Sequence, residues 1–201
     1  LSHLASYSPE LTVPSLKKSL TGDFLASVVA PSGETHAVRM VSWLHGTPLA
    51  EVPRTFELMR SLGQSFGDID RALQGFIHPG AVRDLDWDLR HAARSRSRLH
   101  FIKDPARRAI LERFIDRFEH SVQPRLARLR TQVIHNDGND WNILVDPRNP
   151  QKVSGIIDFG DAVHTILIAE VAITCAYSIL DMEDPVGAAA ALTAGFHEKY
   201  P

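Results

Sequence analysis

Two short polar motifs, separated by two short apolar stretches, restrict the fold of this chain more than any other feature. Residues 135–142 read His-Asn-Asp-Gly-Asn-Asp-Trp-Asn, which contains the pattern H-x-D-x-x-x-x-N, and residues 158–160 read Asp-Phe-Gly. Short apolar, β-branched segments stand before and between the motifs, at 133–134, 143–145 and 153–157. This alternation predicts three strands with the two polar motifs as loops at their ends. The two loops are therefore expected to face a common cleft.

The residue types in these loops suit the transfer of a phosphoryl group. That chemistry needs a hydroxyl held in line with the phosphate and cations that neutralise the developing charge. Asp137 is placed to accept the proton of an attacking hydroxyl, while Asn142 and Asp158 offer oxygen ligands to Mg²⁺. His135 is expected to brace the loop by hydrogen bonds. The alternative is that Asn-Asp-Gly is only a turn and that Asp-Phe-Gly only closes a hairpin.

Four further residues are candidates with two interpretations each. Asp161 either contacts metal or substrate, or caps the next segment. Asp140 either braces the loop and faces solvent, or touches the substrate. Trp87 and Arg90 either line an acceptor pocket or serve in packing and capping at a helix start, and Glu170 is interpreted as structural.

Composition and charge exclude several function classes. The 201 residues carry a net charge of −2, so neither a nucleic-acid surface nor a membrane surface is indicated. The longest apolar stretch is interrupted by Glu170 and is too short to span a bilayer. Cys175 is the only cysteine, which rules out an internal disulfide and fits a reducing compartment. We therefore expect a cytoplasmic protein without a nucleic-acid or membrane partner.

The rest of the chain predicts a hairpin followed by a mostly helical body. Strand-like residues 21–30 and 35–43 flank the turn signal Pro-Ser-Gly-Glu, which predicts a β-hairpin. Apolar residues at helical spacing predict an amphipathic helix over 51–74. Further helices are predicted over 106–119, with Ile110, Phe114 and Phe118 in the core, over 166–181, and from Pro185 onward.

The motifs resemble those of the aminoglycoside phosphotransferase and choline kinase superfamily. The resemblance rests on residues 135–142 and 156–161, and it extends over nearly the whole chain from the hairpin onward. The hydroxylysine-kinase-type branch contains sequence segments similar to two in this chain, Trp-Asp-Leu-Arg-His-Ala at 87–92 and Phe-Gly-Asp-Ala-Val-His-Thr at 159–165. The same branch supplies a phosphotransferase domain that is found fused to class III aminotransferases.

The resemblance implies an α+β, protein-kinase-like fold with two lobes. Residues 1–46 would be a remnant of the nucleotide-binding N-lobe with its hairpin and hinge, and residues 47–201 a mostly helical catalytic C-lobe, truncated at its end. The nucleotide, ATP or GTP with Mg²⁺, would lie under the hinge residues Val41, Ser42 and Trp43. The acceptor would be a hydroxyl on a small amine or amino acid, with hydroxylysine-like acceptors favoured, and a fused aminotransferase domain is a possible partner in the parent protein.

Some parts of the family pattern are missing from this sequence. A phosphate-covering loop, a strand lysine and a helix glutamate precede the hairpin in the family, whereas only about twenty residues precede it here. Lys17 and Lys18 do not match the phosphate lysine. Because these groups supply much of the electrostatic stabilisation, we expect the chain to be an internal fragment with little activity alone.

Two other functions stay open from the sequence. The first is aminoglycoside O-phosphorylation, whose polycationic acceptors favour an acidic cleft. The second is a catalytically silent kinase-like module that regulates a fused or partner enzyme. The intact set Asp137, Asn142 and Asp158 favours an enzyme, because a silent module has no need of a complete magnesium set. Magnesium-dependent nucleotide binding by the full-length protein would discriminate between the classes.

Overall fold

A computed structural model describes all 201 residues as short strands and five α-helices. The helices are α1 (Ser2–Tyr7), α2 (Phe56–Ala72), α3 (Pro105–Arg117), α4 (Ile168–Ser178) and α5 (Pro185–Lys199). The strands are β1 (Leu16–Lys17), β2 (Ala26–Val29), β3 (Thr35–Val38), β4 (Met40–Val41), β5 (Thr47–Pro48), β6 (Thr131–Ile134), β7 (Ile143–Asp146), β8 (Asn149–Ile156) and β9 (Val163–Ile166). The mixed α+β class predicted from the sequence is confirmed.

The predicted N-terminal hairpin is present. Strands β2 and β3 pair antiparallel, and Gly33 in the connecting turn has a φ of 87°, a left-handed value that glycine adopts without strain. Both strands are exposed along their whole length. Strand β4 follows directly and pairs with β1, so the chain reaches the predicted hinge as an extended segment.

Helix α2 is the centre of the core. Thr55 caps its N-terminus by accepting a hydrogen bond from the Leu58 backbone N–H. The predicted start at residue 51 is wrong, because Pro53 and the extended residues around it separate a short 3₁₀ turn at Leu49–Glu51 from the helix. The apolar stripe is buried as expected at Met59, Leu62, Phe66, Ile69 and Leu73, whereas Phe56 at the first turn is exposed.

Helices α2 and α5 cross at very short range. A Cβ atom at Gly63 would overlap the backbone oxygen of Leu192 and lie 2.7 Å from the Phe196 nitrogen. On the opposite helix, a Cβ at Gly195 would overlap the Arg60 backbone oxygen. The two backbones therefore touch where neither residue has a side chain.

Strand pairing brings the two polar loops together. Strand β6 pairs with β9, where Ile134 faces Val163, and β7 pairs with β8, where Ile143 faces Ile156. Residues 135–142 join β6 to β7, and residues 157–162 join β8 to β9. Each loop therefore connects one end of the β6–β9 strand pair to one end of the β7–β8 strand pair. The three predicted strands are confirmed, while β9 was not predicted.

The predicted core role of α3 is largely wrong. Asp104 and Pro105 start the helix as expected, and the Asp104 carboxylate accepts the first backbone N–H groups. Ile110 and Phe114 are nevertheless about half exposed, and only Ile115 is buried. The helix packs on a 3₁₀ segment, Leu89–Phe101, through one narrow edge, so the apolar spacing overstates the buried face. No helix in the chain combines the length and apolar character needed to cross a bilayer.

Candidate active site

The loop between β6 and β7 holds Asp137 in a network of amide groups. Its carboxylate accepts hydrogen bonds from Asn139 Nδ2 at 2.9 Å and from Asn142 Nδ2 at 2.7 Å. Asn142 Nδ2 also donates to the Asp137 backbone oxygen at 3.0 Å. Both donors of this amide face Asp137, so the Asn142 Oδ1 atom carries no hydrogen bond from the protein. The loop thus presents one carboxylate and one unengaged amide oxygen.

His135 ties this loop to the Asp-Phe-Gly loop. Its Nε2–H donates to the backbone oxygen of Ile157 at 2.9 Å, and its Nδ1 accepts the backbone N–H of Asp137 at 3.2 Å. A ring that donates at one nitrogen and accepts at the other is neutral. Burial lowers the pKa of His135, with the Ile157 carbonyl acting in the opposite direction, and this agrees with the neutral form. The geometry is that of a loop brace.

The Asp-Phe-Gly loop holds Asp158 in a left-handed conformation. Its φ is 59° and its ψ is 71°, and its Oδ1 accepts the Gly160 backbone N–H at 3.0 Å. The Oδ2 atom receives no hydrogen bond from the protein. Arg83 fixes the following turn by donating to Gly160 O at 2.6 Å and to Ala162 O at 3.1 Å. Arg83 was not among the predicted site residues.

A cavity of about 440 Å³ joins the hinge to Asp158. The hinge residues Val41, Ser42 and Trp43 lie on one wall, and Asp158 lies on another. The Ser42 backbone N–H and hydroxyl already pair with Ser15, at 2.8 and 2.9 Å. The backbone N–H and C=O groups of Trp43 and Leu44 make no hydrogen bond within the protein, so they are the hinge groups that are free to bind a ligand.

A second cavity, of about 420 Å³, is lined by residues of the 135–142 loop, which is named the catalytic loop after its predicted role. Asp137 and Asp161 contribute carboxylates to its wall, and Trp87 and Tyr177 contribute aromatic rings. Asn136, which adopts a positive φ of 66°, completes the polar part of the wall. The two predicted loops therefore stand between two cavities, one with Asp137 and one with Asp158.

Comparison with known proteins decides the family. A family model described as the phosphotransferase enzyme family matches residues 2–201. The chain belongs to the phosphotransferase enzyme family. The resemblance to the aminoglycoside phosphotransferase and choline kinase superfamily is thereby confirmed.

The relatives of this phosphotransferase-family chain include hydroxylysine kinases. The chain is 34% identical to hydroxylysine kinase of Xenopus laevis over 94% of its own length and 55% of the relative. It is 30% identical to hydroxylysine kinase of Mus musculus over 88% of its length and 50% of the relative. The chain thus spans about half the length of the curated relatives it matches.

Solved structures confirm the kinase-like fold of this family member. A microcompartment-associated aminopropanol kinase superposes with a TM-score of 0.73 at 19% identity, covering 100% of this chain and 63% of the other. An amicoumacin kinase in complex with AMP-PNP, Ca²⁺ and Ami superposes with a TM-score of 0.71 at 15% identity, covering 100% and 60%.

Four predicted site residues of this phosphotransferase-family chain line neither cavity: His135, Asn142, Arg90 and Asp140. Two nitrogens of the Arg90 guanidinium donate to Asp88 Oδ2, at 2.9 and 2.7 Å, and Asp88 Oδ1 accepts from Thr165 at 2.7 Å. Arg90 is therefore held away from the cavity that Trp87 lines, and the pocket-lining interpretation of Arg90 is not supported. Asp140 is paired with Arg54 at 2.7 Å, which is a bracing contact rather than a cavity position.

A buried carboxyl pair lies beneath the catalytic loop. Glu170 of α4 accepts the backbone N–H groups of His135 at 2.6 Å and Asn136 at 3.3 Å. Burial raises the pKa of Glu170 to about 7, although these two N–H groups act in the opposite direction. Burial also raises the pKa of Asp70 on α2, and the neighbouring Glu170 adds to this increase. The sequence analysis interpreted Glu170 as structural. The feature that could have indicated a buried carboxyl group is that Glu170 is a single glutamate within an otherwise apolar helix.

We expect Glu170 to make stability depend on pH. Because its pKa rises from 4.5 to about 7 on folding, the stability present below pH 4.5 is lost as pH rises through about 7. Glu170→Gln keeps an acceptor oxygen and cannot ionise. Urea unfolding of both proteins should therefore show the wild-type free energy of unfolding falling, relative to the variant, by on the order of 3 kcal/mol across this window.

The matched reference for this measurement is Glu112→Gln, which removes an exposed carboxylate from α3. A difference between wild type and Glu170→Gln that stays constant with pH would contradict the expected ionisation of Glu170.

Proposed function

We propose that the protein of which this chain is part is a small-molecule kinase. It transfers the γ-phosphate of ATP or GTP to a hydroxyl of a small amine or amino acid, with hydroxylysine-like acceptors favoured. The observation that carries this proposal is that Asp137 and Asp158 lie on adjacent loops, each in the wall of a different cavity. In-line transfer requires the two substrates to meet at one point, and adjacent loops that each line a different cavity provide such a point.

In this proposal Asp137 accepts the proton of the acceptor hydroxyl. It lines the 420 Å³ cavity, and Asn139 and Asn142 hold its carboxylate in one orientation. A fixed carboxylate orients the attacking oxygen before the reaction, which lowers the entropic part of the barrier. His135 keeps the loop in register with Asp158 through the Ile157 carbonyl.

The residues present fit a magnesium ion. Asn142 Oδ1 and Asp158 Oδ2 are oxygen atoms that no protein group engages. Mg²⁺ prefers one or two carboxylates together with phosphate oxygens and water, and no group of three acidic, histidine or cysteine side chains in the chain forms a cage of its own. Asn142 and Asp158 would hold the ion, which neutralises charge on the phosphates when bound.

The nucleotide in this proposal occupies the 440 Å³ cavity. Its purine would meet the unengaged backbone groups of Trp43 and Leu44, beside Val41 and Ser42. A kinase with the same fold is known in complex with AMP-PNP, which supports a nucleoside triphosphate as co-substrate. ATP and GTP both remain candidates, since either purine offers edges that pair with backbone groups.

The acceptor would occupy the cavity beside Trp87 and Tyr177. Aromatic faces and the Asp161 carboxylate attract an ammonium group, which an amine or amino acid carries. The relatives named hydroxylysine kinase support an acceptor of this class.

Three expectations from the sequence stay predictions. They are the domain boundary between residues 46 and 47, the cytoplasmic location, and the fused aminotransferase domain.

The test is magnesium-dependent release of nucleoside diphosphate by the full-length protein. It is run with ATP and GTP against hydroxylysine, choline, ethanolamine, homoserine and aminoglycosides. We expect turnover with an amino-acid or amine acceptor. Turnover with aminoglycosides alone would mean that the acceptor is an aminoglycoside and not an amino acid or small amine. Absence of both turnover and nucleotide binding would favour a regulatory module.

Asp158→Asn should weaken the coupling between magnesium and nucleotide. In the unaltered full-length protein, Mg²⁺ is expected to tighten ATP binding because Asp158 shares the ion with the phosphates. Loss of the anionic ligand should reduce the affinity for Mg²⁺ by about 10-fold or more. Calorimetric titration of ATP at several Mg²⁺ concentrations measures this, with Asp146→Asn, at the end of β7 outside both cavities, as the control.

A further inference from the structure

Arg54 connects three separate parts of the molecule. It precedes the Thr55 cap of α2, and its side chain is only 13% exposed. One guanidinium nitrogen donates to the Asp140 carboxylate at 2.7 Å. The other donates to the backbone oxygens of Tyr177 at 3.2 Å and Leu180 at 2.7 Å.

These partners belong to the catalytic loop and to the end of α4. Asp140 lies three residues after Asp137, and its backbone oxygen also accepts the Ala50 N–H at 3.1 Å. The carbonyls at a helix C-terminus lack partners within the helix and carry a partial negative charge, so a cation there is favourable. Tyr177 lines the cavity that contains Asp137. Arg54 therefore bridges the loop that carries Asp137 and the helix end that forms the wall opposite.

We propose that Arg54 is a positioning residue that holds the catalytic loop and the acceptor wall at a set separation. This inference rests on the proposed function, because it assigns a role within that reaction. Arg54 makes no hydrogen bond to the hinge residues or to Asp158. Its direct contacts therefore lie on the acceptor side of the site, and only Trp141, directly after Asp140, connects this part of the loop with the nucleotide cavity.

Because the Arg54–Asp140 ion pair is mostly buried, its loss is expected to disturb the catalytic loop. The Asp140 side chain is only 18% exposed, so removing Arg54 leaves a mostly buried carboxylate without its cation. A buried charge that loses its partner is strongly unfavourable, and the loop relaxes by moving Asp140 toward water. Asp137 lies on the same loop, so its separation from the acceptor wall changes with it.

The expected result is a selective loss on the acceptor side. In the full-length protein, Arg54→Met should lower kcat/KM for the acceptor by about 10- to 100-fold, through both kcat and KM. The Kd for ATP with Mg²⁺ should change much less than the acceptor kcat/KM, because Arg54 makes no hydrogen bond to a residue of the nucleotide cavity. Arg54→Lys keeps the charge without the planar fork and should recover only part of the activity.

Arg71→Met is the matched control. Arg71 pairs with Asp68 at 2.7 Å on the surface of α2, so the exchange removes an ion pair of the same length away from the cavities. The double variant Arg54→Met/Asp140→Asn isolates the pair. If Arg54 acts through Asp140, the double variant should be no less active than Arg54→Met alone.

Three outcomes would overturn the inference. The first is an acceptor kcat/KM for Arg54→Met that matches Arg71→Met. The second is an equal loss of ATP affinity and turnover, which a general structural role would cause. The third is a double variant that is less active than Arg54→Met alone. Absence of turnover by the unaltered protein would instead reject the proposed function and this inference with it.

Discussion

Replacing Asp137 by asparagine in the full-length protein is expected to lower kcat by about 10²- to 10⁴-fold while ATP binding persists. The substitution keeps the size of the side chain and the oxygen that accepts from one of its two amide partners, Asn139 or Asn142. It removes the carboxylate that would take the proton of the acceptor hydroxyl. Because Asp137 lines the 420 Å³ cavity and not the 440 Å³ cavity proposed for the nucleotide, ATP binding should change only through the hydrogen bond from Asn142, the proposed magnesium ligand.

Steady-state release of nucleoside diphosphate gives kcat, and calorimetry gives the Kd for ATP with Mg²⁺. Asp137→Ala serves as a second variant that removes the hydrogen-bonding oxygens as well. Asp146→Asn removes a carboxylate at the end of β7, outside both cavities, and is the control. Turnover by Asp137→Asn at the rate of this control would remove Asp137 from the proposed mechanism.

Replacing Gly63 by alanine is expected to destabilise the fold by about 3 kcal/mol or more. In an exposed helix this exchange is favourable by roughly 1 kcal/mol, because glycine has the greater backbone freedom to lose. Here the new methyl group would overlap the Leu192 backbone oxygen and approach the Phe196 nitrogen. Backbone atoms cannot rotate away as a side chain can, so α2 and α5 must separate.

Urea unfolding monitored by circular dichroism measures the loss. Ala190→Gly, the reverse exchange at an exposed position of α5, shows the intrinsic helix preference and should cost about 1 kcal/mol. A Gly63→Ala protein as stable as wild type would mean that the two helices lie further apart than this crossing. Gly195→Ala should behave like Gly63→Ala, since its methyl group would meet the Arg60 backbone.

The positions of the residues in the two loops were predictable because they depend on local spacing. Asp137 and Asn142 are five positions apart, and the loop that joins β6 to β7 brings them within one hydrogen bond. Asp158 follows two strands later, because antiparallel pairing of β7 with β8 returns the chain to the same end. Such short-range relations are present in the order of the residues.

The supports of these loops were not predictable in the same way. Arg54 meets Asp140 across 86 positions, Arg83 meets Gly160 across 77, and Glu170 meets His135 across 35. Nothing in the local pattern of an arginine or a glutamate specifies a partner so distant. The exposed Phe114 is the converse case, because its helical spacing is that of a core residue.

The order of residues alone determined the chemistry that this protein can offer, namely a carboxylate, an amide and a second carboxylate on loops between short strands. It also determined the hairpin and the apolar stripe of α2, because periodicity and turn residues act within a few positions. Only the tertiary structure decided which cavity each group faces, that Arg90 turns to Asp88, and that α2 and α5 meet at Gly63. The physical reason is that burial and pairing depend on surfaces brought together from distant parts of the chain, and those surfaces exist only after folding.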